Sequence, residues 1–492
     1  MKKTGFLVFI FLLIHLHTFS QSKSTSFDEF TKYVDTMKQY DDDLRNAVWS
    51  VSVADAKNGE LLFEHNSQYG LLPASNMKII TTGVGLLLLG ADYTFKTKLE
   101  YTGNIVDSTL DGDMYIIGGG DPSLGSAIYE NTVPDTVFHK WTQAIKGLGI
   151  KNINGKIIAD TRFFDDENRH GSWEFDDIGT DYGAGVSGIQ FMDNMCKLLI
   201  EPTSNINENP RLASVEPYIP EISWENYLTS TDSINETGIS LYSSPYSSRA
   251  ILSGKVLTNS YSKTISAAIP NPAYTCAWYF NNYLNQNGIT TSNRIEIIER
   301  RTSDFLSENH THFHTYSSPI YSEIIYETNK SSNNSFAETI LKTAGAELGN
   351  DGSVSEGRKL VANKLQDMNI ATNGFQQSDG SGLSRHNFVT TEFLCKYLSA
   401  MYNSDVYEDF VLSFPIAGVD GTMKNMLKKT AAEGNVKAKS GSLSGVRSYS
   451  GYVTTKAGQD LCFSFIFNNF TCKSAVITGK IEKLMIFLSE LE

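Results

Sequence analysis

Cross-linking sulfur, basic charge, proline and long apolar runs are all scarce in this 492-residue chain. Its five cysteines, Cys196, Cys276, Cys395, Cys462 and Cys472, are odd in number and form no C-x-x-C pair. That argues against a zinc or redox motif and against a disulfide framework. Cys462 lies in the apolar run LCFSFIF, which reads as a buried strand, so a reduced core thiol is expected there. Lysine and arginine total 41 against 55 acidic residues, a formal charge of −14. Such a surface lacks the electrostatic footprint for phosphate backbones, so no nucleic-acid partner is expected, and anionic lipid headgroups would repel it. With 12 prolines, 40% hydrophobic and 11% aromatic residues, the chain can bury real cores and is not of disordered composition. No internal repeat or low-complexity tract stands out, and the length suggests two to four folding units of about 150 residues each.

The apolar run from Gly5 to Leu16 follows Lys2 and Lys3, is followed by polar residues and the small Ser20, and is well short of the ~20 residues that span a bilayer. Residues 1–20 therefore read as a secretory signal peptide, with an uncleaved anchor as the alternative. No cysteine follows closely, which disfavours a lipid anchor. Phe27 to Leu44 has helical character, and Ala47 to Phe63 reads as two strands joined at Lys57-Asn58-Gly59. Pro73 stops anything before it, Asn76 to Leu89 is apolar nearly all round, and Gly90 supplies a C-terminal cap, which predicts a buried helix beginning near Ser75. Residues 93–311 have the texture of short strands broken by Gly, Asn, Asp and Ser, with a Ser-, Asn-, Tyr- and Pro-rich stretch at 204–263 that suggests a subdomain. Helical periodicity returns after Ser318, and the C-terminal third alternates helix with strand.

Three features could carry chemistry. Ser75-Asn76-Met77-Lys78 places an amine nearly one helical turn after a hydroxyl, at a helix N-terminus whose field stabilises an alkoxide. A lysine kept neutral by burial can take the hydroxyl proton. Ser20 and Lys23, and Ser260 and Lys263, share the spacing, but neither pair opens a buried helix. Lys439-Ser440-Gly441-Ser442 lies on a strand pattern from Asn435, followed by an antiparallel partner from Tyr449 to Thr455. A lysine and hydroxyl beside a glycine suit a ligand carboxylate lying along the strand, whereas the bland alternative is an edge lysine that guards against aggregation. The third feature, NKSSNNSFAE, precedes an amphipathic helix. It contains two overlapping Ser-x-Asn pairs, Ser331 with Asn333 and Ser332 with Asn334, and simple helix capping is the alternative.

In this order the features resemble the SxxK, SxN and KTG signature of penicillin-interacting serine enzymes. The words LPASNMK, GGGDPSL, SNNSFAE, SDGSGLSRHN, PIAGVDGTM and KAKSGSLSGV are similar to those of class C low-molecular-mass penicillin-binding proteins, the D-alanyl-D-alanine carboxypeptidase/endopeptidase family, from about Asp28 to the C-terminus. The resemblance implies an α/β (α+β) transpeptidase/β-lactamase-like domain made of 27–92 and 312–492, interrupted by a mainly β insertion over 93–311. It also selects Ser332 and Asn334, since Ala337 and Glu338 stand where the family has Ala and an acid. Carried over, Ser75 would be the acylated nucleophile, Lys78 its base and Ser332 the relay to the leaving amine. Asn334 would hold the peptide and the lysine, Lys439 and Ser440 the terminal carboxylate, and the N–H groups of Ser75 and Ser442 the oxyanion. Ser440 departs from the usual threonine but keeps the hydroxyl. Asp177, in GSWEFDDIGTDYGA, would meet the amine end of a diaminopimelate side chain, with Asp176 and Asp181 as competing assignments; a family contact that is often glutamine falls at the shorter Ser444.

The expected partners are thus peptidoglycan peptides and β-lactam antibiotics in the periplasm, with no cofactor and no metal. Loose membrane association and a homodimer are both left open. A β-lactamase-like hydrolase and a catalytically silent wall-binding or penicillin-sensing module are the rival expectations. The remaining motifs carry less. Gly118-Gly119-Gly120 is followed by Asp121, which would repel phosphate, so it reads as a turn. His310, His312 and His314 alternate as ligands on one strand face would, but no carboxylate or cysteine cluster accompanies them. Asp379 to Arg385 reads as a structural loop packing beside the site.

Overall fold

The computed structural model describes residues 25–220, 222–244, 247–300 and 309–492; the expected signal segment lies outside them. The chain divides into two compact units.

One unit comprises Met1–Leu71, Val389–Asn403 and Phe414–Glu492. Its frame is a five-stranded antiparallel sheet in the order Leu61–His65, Val48–Asp55, Asp460–Asn468, Val446–Thr454, Lys437–Leu443. The central strands are buried on both faces, and the period of two divides their residues cleanly. Val51, Val53, Phe463, Phe465 and Phe467 belong to a core shared with Phe30, Val34 and Met37 of the helix Thr25–Tyr40 and Ile477, Ile481 and Leu484 of the helix Ser474–Ser489. The intervening small polar residues face the helix Thr391–Tyr402, where the Ser50 and Ser52 hydroxyls meet Thr391 Oγ1 at 2.5 and 2.7 Å. Short hydroxyl side chains satisfy one another there and let the helix lie close. Cys462 is buried, and its thiol donates to the Cys395 carbonyl at 3.4 Å; all five cysteines are free thiols.

The other unit comprises Leu72–Phe388 with Ser404–Ser413. The helix Met77–Leu89 packs among the helices Tyr321–Lys330, Asn334–Leu348, Val354–Asp367 and Tyr407–Leu412. It is apolar nearly all round, as its sequence predicts, and ends at Gly90 with φ 87°. At Gly85 a side chain would collide with the Tyr321 hydroxyl, 2.0 Å from where its Cβ would lie, while that hydroxyl bonds the Thr82 carbonyl. The strand-rich region holds a five-stranded mixed sheet, Ile295–Ile298, Ile157–Asp160, Met114–Ile117, Lys96–Tyr101, Thr311–Ser317, and a small sheet in which Ser223–Thr231 and Arg249–Leu257 run parallel.

Two helices, Pro134–Gly147 and Pro272–Gln286, lie within this region, which the sequence suggests is mainly β. Each opens with proline in its first turn, and Asn271 caps the second by accepting from Tyr274 N. Val137, Phe138, Trp141 and Ile145 recur at helical spacing and join Phe280 and Leu284 in one core. Among the described residues no helix is long and apolar enough to cross a membrane.

Candidate active site

Ser75 lies in a 3-10 turn, Ala74–Asn76, that leads directly into the helix Met77–Leu89. Ala74 is held at φ 48°, a backbone region that costs a residue with a Cβ about 1–2 kcal/mol. Gly382 (φ 87°) supports this turn from below: a Cβ there would lie 1.9 Å from the Ala74 carbonyl oxygen. Such locally unfavourable backbone survives only where its surroundings over-determine it.

Lys78 follows one turn later and is completely buried. Its Nζ lies 3.0 Å from Ser75 Oγ, 2.5 Å from Asn334 Oδ1 and 2.9 Å from the Ser381 carbonyl oxygen. Two of these neighbours are carbonyl oxygens and can only accept. A neutral amine has two N–H bonds to give them, and its lone pair then falls on the side of the Ser75 hydroxyl. Burial lowers the Lys78 pKa to about 7, against the opposing pull of the Glu338 and Asp379 carboxylates.

Two carboxylates hold the loop that presents the Ser381 carbonyl. Glu338, fully buried, accepts from Gly380 N at 2.9 Å and from Ser381 N at 2.8 Å. Burial, and then the Asp379 carboxylate beside it, push its pKa upward, while those backbone donors favour its charge. Asp379 accepts from Gly382 N, Ser384 N, Asn387 Nδ2 and the Trp173 indole N–H, all within 2.9 Å. The loop read from sequence as structural packing is therefore both that and the source of a direct contact to Lys78.

In the polar cluster before the helix Asn334–Leu348 the members of the two Ser-x-Asn pairs make different contacts. Ser331 ends the preceding helix, its hydroxyl donating to the Glu327 carbonyl, and Asn333 caps the next by accepting from Phe336 N at 3.1 Å. Capping thus occupies the pair Ser331 and Asn333. Asn334 reaches Lys78 instead, and Ser332 is held at φ 62°. The Asn334 amide also donates to the Tyr182 carbonyl at 2.8 Å.

Tyr182 belongs to the loop that carries Asp177. Its side chain hydrogen-bonds the half-buried Asp177 carboxyl, whose pKa is raised chiefly by burial. This loop is anchored to the Ser381 loop through Trp173 and Asp379, through Ser172 Oγ and Ser384 Oγ at 2.5 Å, and through Glu174 and Arg385 at 2.6 Å. Asp176 is exposed, and Asp181 accepts from Tyr182 N.

Lys439, in the sheet unit, is fully buried, and its Nζ donates to the Ser440 carbonyl at 2.7 Å. The Ser440 and Thr422 hydroxyls are 2.7 Å apart. Gly441 and Ser442 continue the strand opposite Ser448 and Arg447. Sequence spacing does not mark Glu338, the Ser381 carbonyl, Tyr182 or Thr422 as contacts, although SNNSFAE, SDGSGLSRHN and PIAGVDGTM contain three of them and Tyr182 follows Asp181.

The histidines group differently from the sequence expectation. A β-bulge between His312 and His314 breaks their alternation, and Glu100 joins His310 at 3.1 Å and His312 at 3.7 Å. Among the described residues no set of three or more His, Cys, Asp or Glu is arranged to hold a metal.

Residues 31–490 match the family described as D-Ala-D-Ala carboxypeptidase 3 (S13). A D-alanyl-D-alanine carboxypeptidase of an Actinomadura species is 28% identical over 442 residues, covering 86% of this chain and 78% of that protein. Penicillin-sensitive carboxypeptidase A of Dictyostelium discoideum is 28% identical over 475 residues, 90% of this chain and 87% of the relative. Among solved structures, penicillin binding protein 4 from Haemophilus influenzae superposes with a TM-score of 0.80 at 23% identity, over 93% of this chain and 99% of its own.

Proposed function

The chain belongs to the D-Ala-D-Ala carboxypeptidase 3 (S13) family, and from that premise we propose that it is a serine D-Ala-D-Ala carboxypeptidase with DD-endopeptidase activity on peptidoglycan, acting in the periplasm and acylated by penicillin. The observation that carries the reading is the Lys78 amine. It is fully buried, faces two carbonyl acceptors, and lies 3.0 Å from Ser75 Oγ.

In this mechanism Lys78 takes the Ser75 hydroxyl proton as Oγ attacks the carbonyl carbon of the penultimate D-alanine. The tetrahedral oxyanion is met by the backbone N–H groups of Ser75 and Ser442, each such donor being worth about 3 kcal/mol. Ser332 passes a proton to the departing amine, which is free D-alanine in the carboxypeptidase reaction and the cross-linking side chain in the endopeptidase reaction. Water then cleaves the acyl-enzyme ester and regenerates Ser75. Lys439 and Ser440 hold the terminal carboxylate, Asn334 holds the peptide and Lys78 together, and Asp177 meets the amine end of the stem-peptide side chain. The catalytic residues come from 27–92 and 312–492, and the accessory module from 93–311.

Fluorescent penicillin and a pentapeptide-bearing muropeptide test the assignment, comparing wild type with Ser75→Ala. The expected result is lasting label and D-alanine release in wild type, with both lost in the variant. Rapid loss of label would instead identify a β-lactamase-like hydrolase, and label without peptide cleavage a penicillin sensor.

A further inference from the structure

A cleft of about 500 Å³ lies between the start of the helix Pro134–Gly147 and one face of the helix Pro272–Gln286. Its volume falls in the range of small-molecule sites, roughly 300–1,000 Å³. Helical spacing builds its longer wall. Trp278, Asn282 and Gln286 recur every fourth residue, beside Tyr279 and Tyr283 at the same interval, so aromatic rings and amides form two adjoining rows. Phe138 and Met192 close the floor, and Asp135 stands at the rim as the one charged lining residue.

Most of these side chains are already fixed. Trp278 packs edge-on against Tyr279 at 5.0 Å and, tilted by 50°, against Tyr218 at 5.7 Å, and Tyr279 donates to the Tyr218 carbonyl. Tyr283 packs on Phe138 at 5.8 Å. By contrast, the Trp278 indole N–H and the polar ends of Asp135, Asn282 and Gln286 have no hydrogen-bond partner among the described residues. Fixed aromatic faces thus stand beside solvent-facing amide and carboxylate groups.

That combination is selective. Aromatic faces accept the C–H face of a pyranose ring and the methyl of an acetamido group, and paired amides match the acetamido N–H and C=O as well as hydroxyls. A lone carboxylate disfavours anions. From these features we propose that the cleft binds uncharged N-acetylhexosamine units, and so holds a glycan strand of peptidoglycan while its peptide is cut elsewhere on the chain. The identity of the sugar's source rests on the wall-enzyme reading above; the sugar chemistry of the cleft does not.

Chitotriose, a soluble N-acetylglucosamine trimer, is the probe. Isothermal titration should give saturable millimolar binding to wild type, weakened about tenfold in Trp278→Ala, equivalent to about 1.4 kcal/mol. The exposed Gln286→Ala should weaken it in the same direction, with D-alanine release from a sugar-free pentapeptide unchanged in both variants. Absence of binding to wild type, equal binding to wild type and both variants, or displacement of chitotriose by tetramethylammonium as the preferred ligand would each overturn the proposal. Chitotriose binding by a protein that releases no D-alanine would leave the cleft assignment standing and remove the carboxypeptidase reading instead.

Discussion

The rate at which penicillin acylates Ser75 should follow the neutral fraction of Lys78, which makes pH a direct perturbation of the proposed base. Burial takes Lys78 from 10.5 to about 7. At about 1.4 kcal/mol per unit, the buried site disfavours the ammonium by on the order of 5 kcal/mol relative to water. Near pH 7 about half of the molecules then carry a neutral amine, against roughly three in ten thousand for an ordinary lysine. The sign follows: protonation removes the base, so the acylation rate constant should climb about tenfold per pH unit up to about 7 and flatten above it. At about pH 5 it should be ~1% of its plateau. Stopped-flow labelling with fluorescent penicillin at fixed ionic strength measures this limb in the free enzyme. Glu338→Gln supplies a second arm, because the Glu338 carboxylate opposes the effect of burial; its removal should move the midpoint below that of wild type. A rate that keeps rising tenfold per unit past about pH 9 would mean that Lys78 titrates like an exposed lysine, and the argument from desolvation would fail. A midpoint that moves upward in Glu338→Gln would equally refute the electrostatic account.

Other substitutions probe separate links. Gly382→Ala forces a Cβ to 1.9 Å from the Ala74 carbonyl oxygen at a φ of 87°, so it should lower the thermal midpoint and displace Ser75, read as slower penicillin labelling; a variant with wild-type melting and labelling would contradict the support assigned to this glycine. Asn333→Ala should cost about 1 kcal/mol of stability through loss of a helix cap while acylation persists, and Asn334→Ala should do the reverse; identical effects of the two on denaturation and labelling would undo their division of labour. Asp177→Ala should reduce cleavage of diaminopimelate-containing peptides more than it reduces penicillin acylation, and equal losses in the two assays would show that it does not read the peptide.

The legible parts of this protein are those set by short-range geometry. Ser75 and Lys78 meet because three residues make nearly one helical turn, and Lys78 is buried because the helix that carries it is apolar nearly all round. The alternation from Asn435 to Lys439 and the run from Tyr449 to Thr455 likewise predict an antiparallel pair, which the strands Lys437–Leu443 and Val446–Thr454 form with Lys439 opposite Ser450. The two helices within the mainly β insertion are less legible because their sequence neighbours are broken strands; in the structure their apolar faces join Ile116, Ala159 and the rest of that core.

Sequence by itself thus determined that an amine would lie beside a hydroxyl at the mouth of a buried helix. It left open what else that amine would touch. Tertiary structure decided that Asn334, 256 positions away, and the Ser381 carbonyl, 303 positions away, would take its two hydrogens, and that Glu338 would fix the loop presenting the second. It also decided which asparagine caps and which reaches the lysine. The physical reason is that spacing fixes neighbours only within a turn or a strand, whereas the pKa of a buried amine depends on desolvation and on charges and acceptors brought from distant parts of the chain.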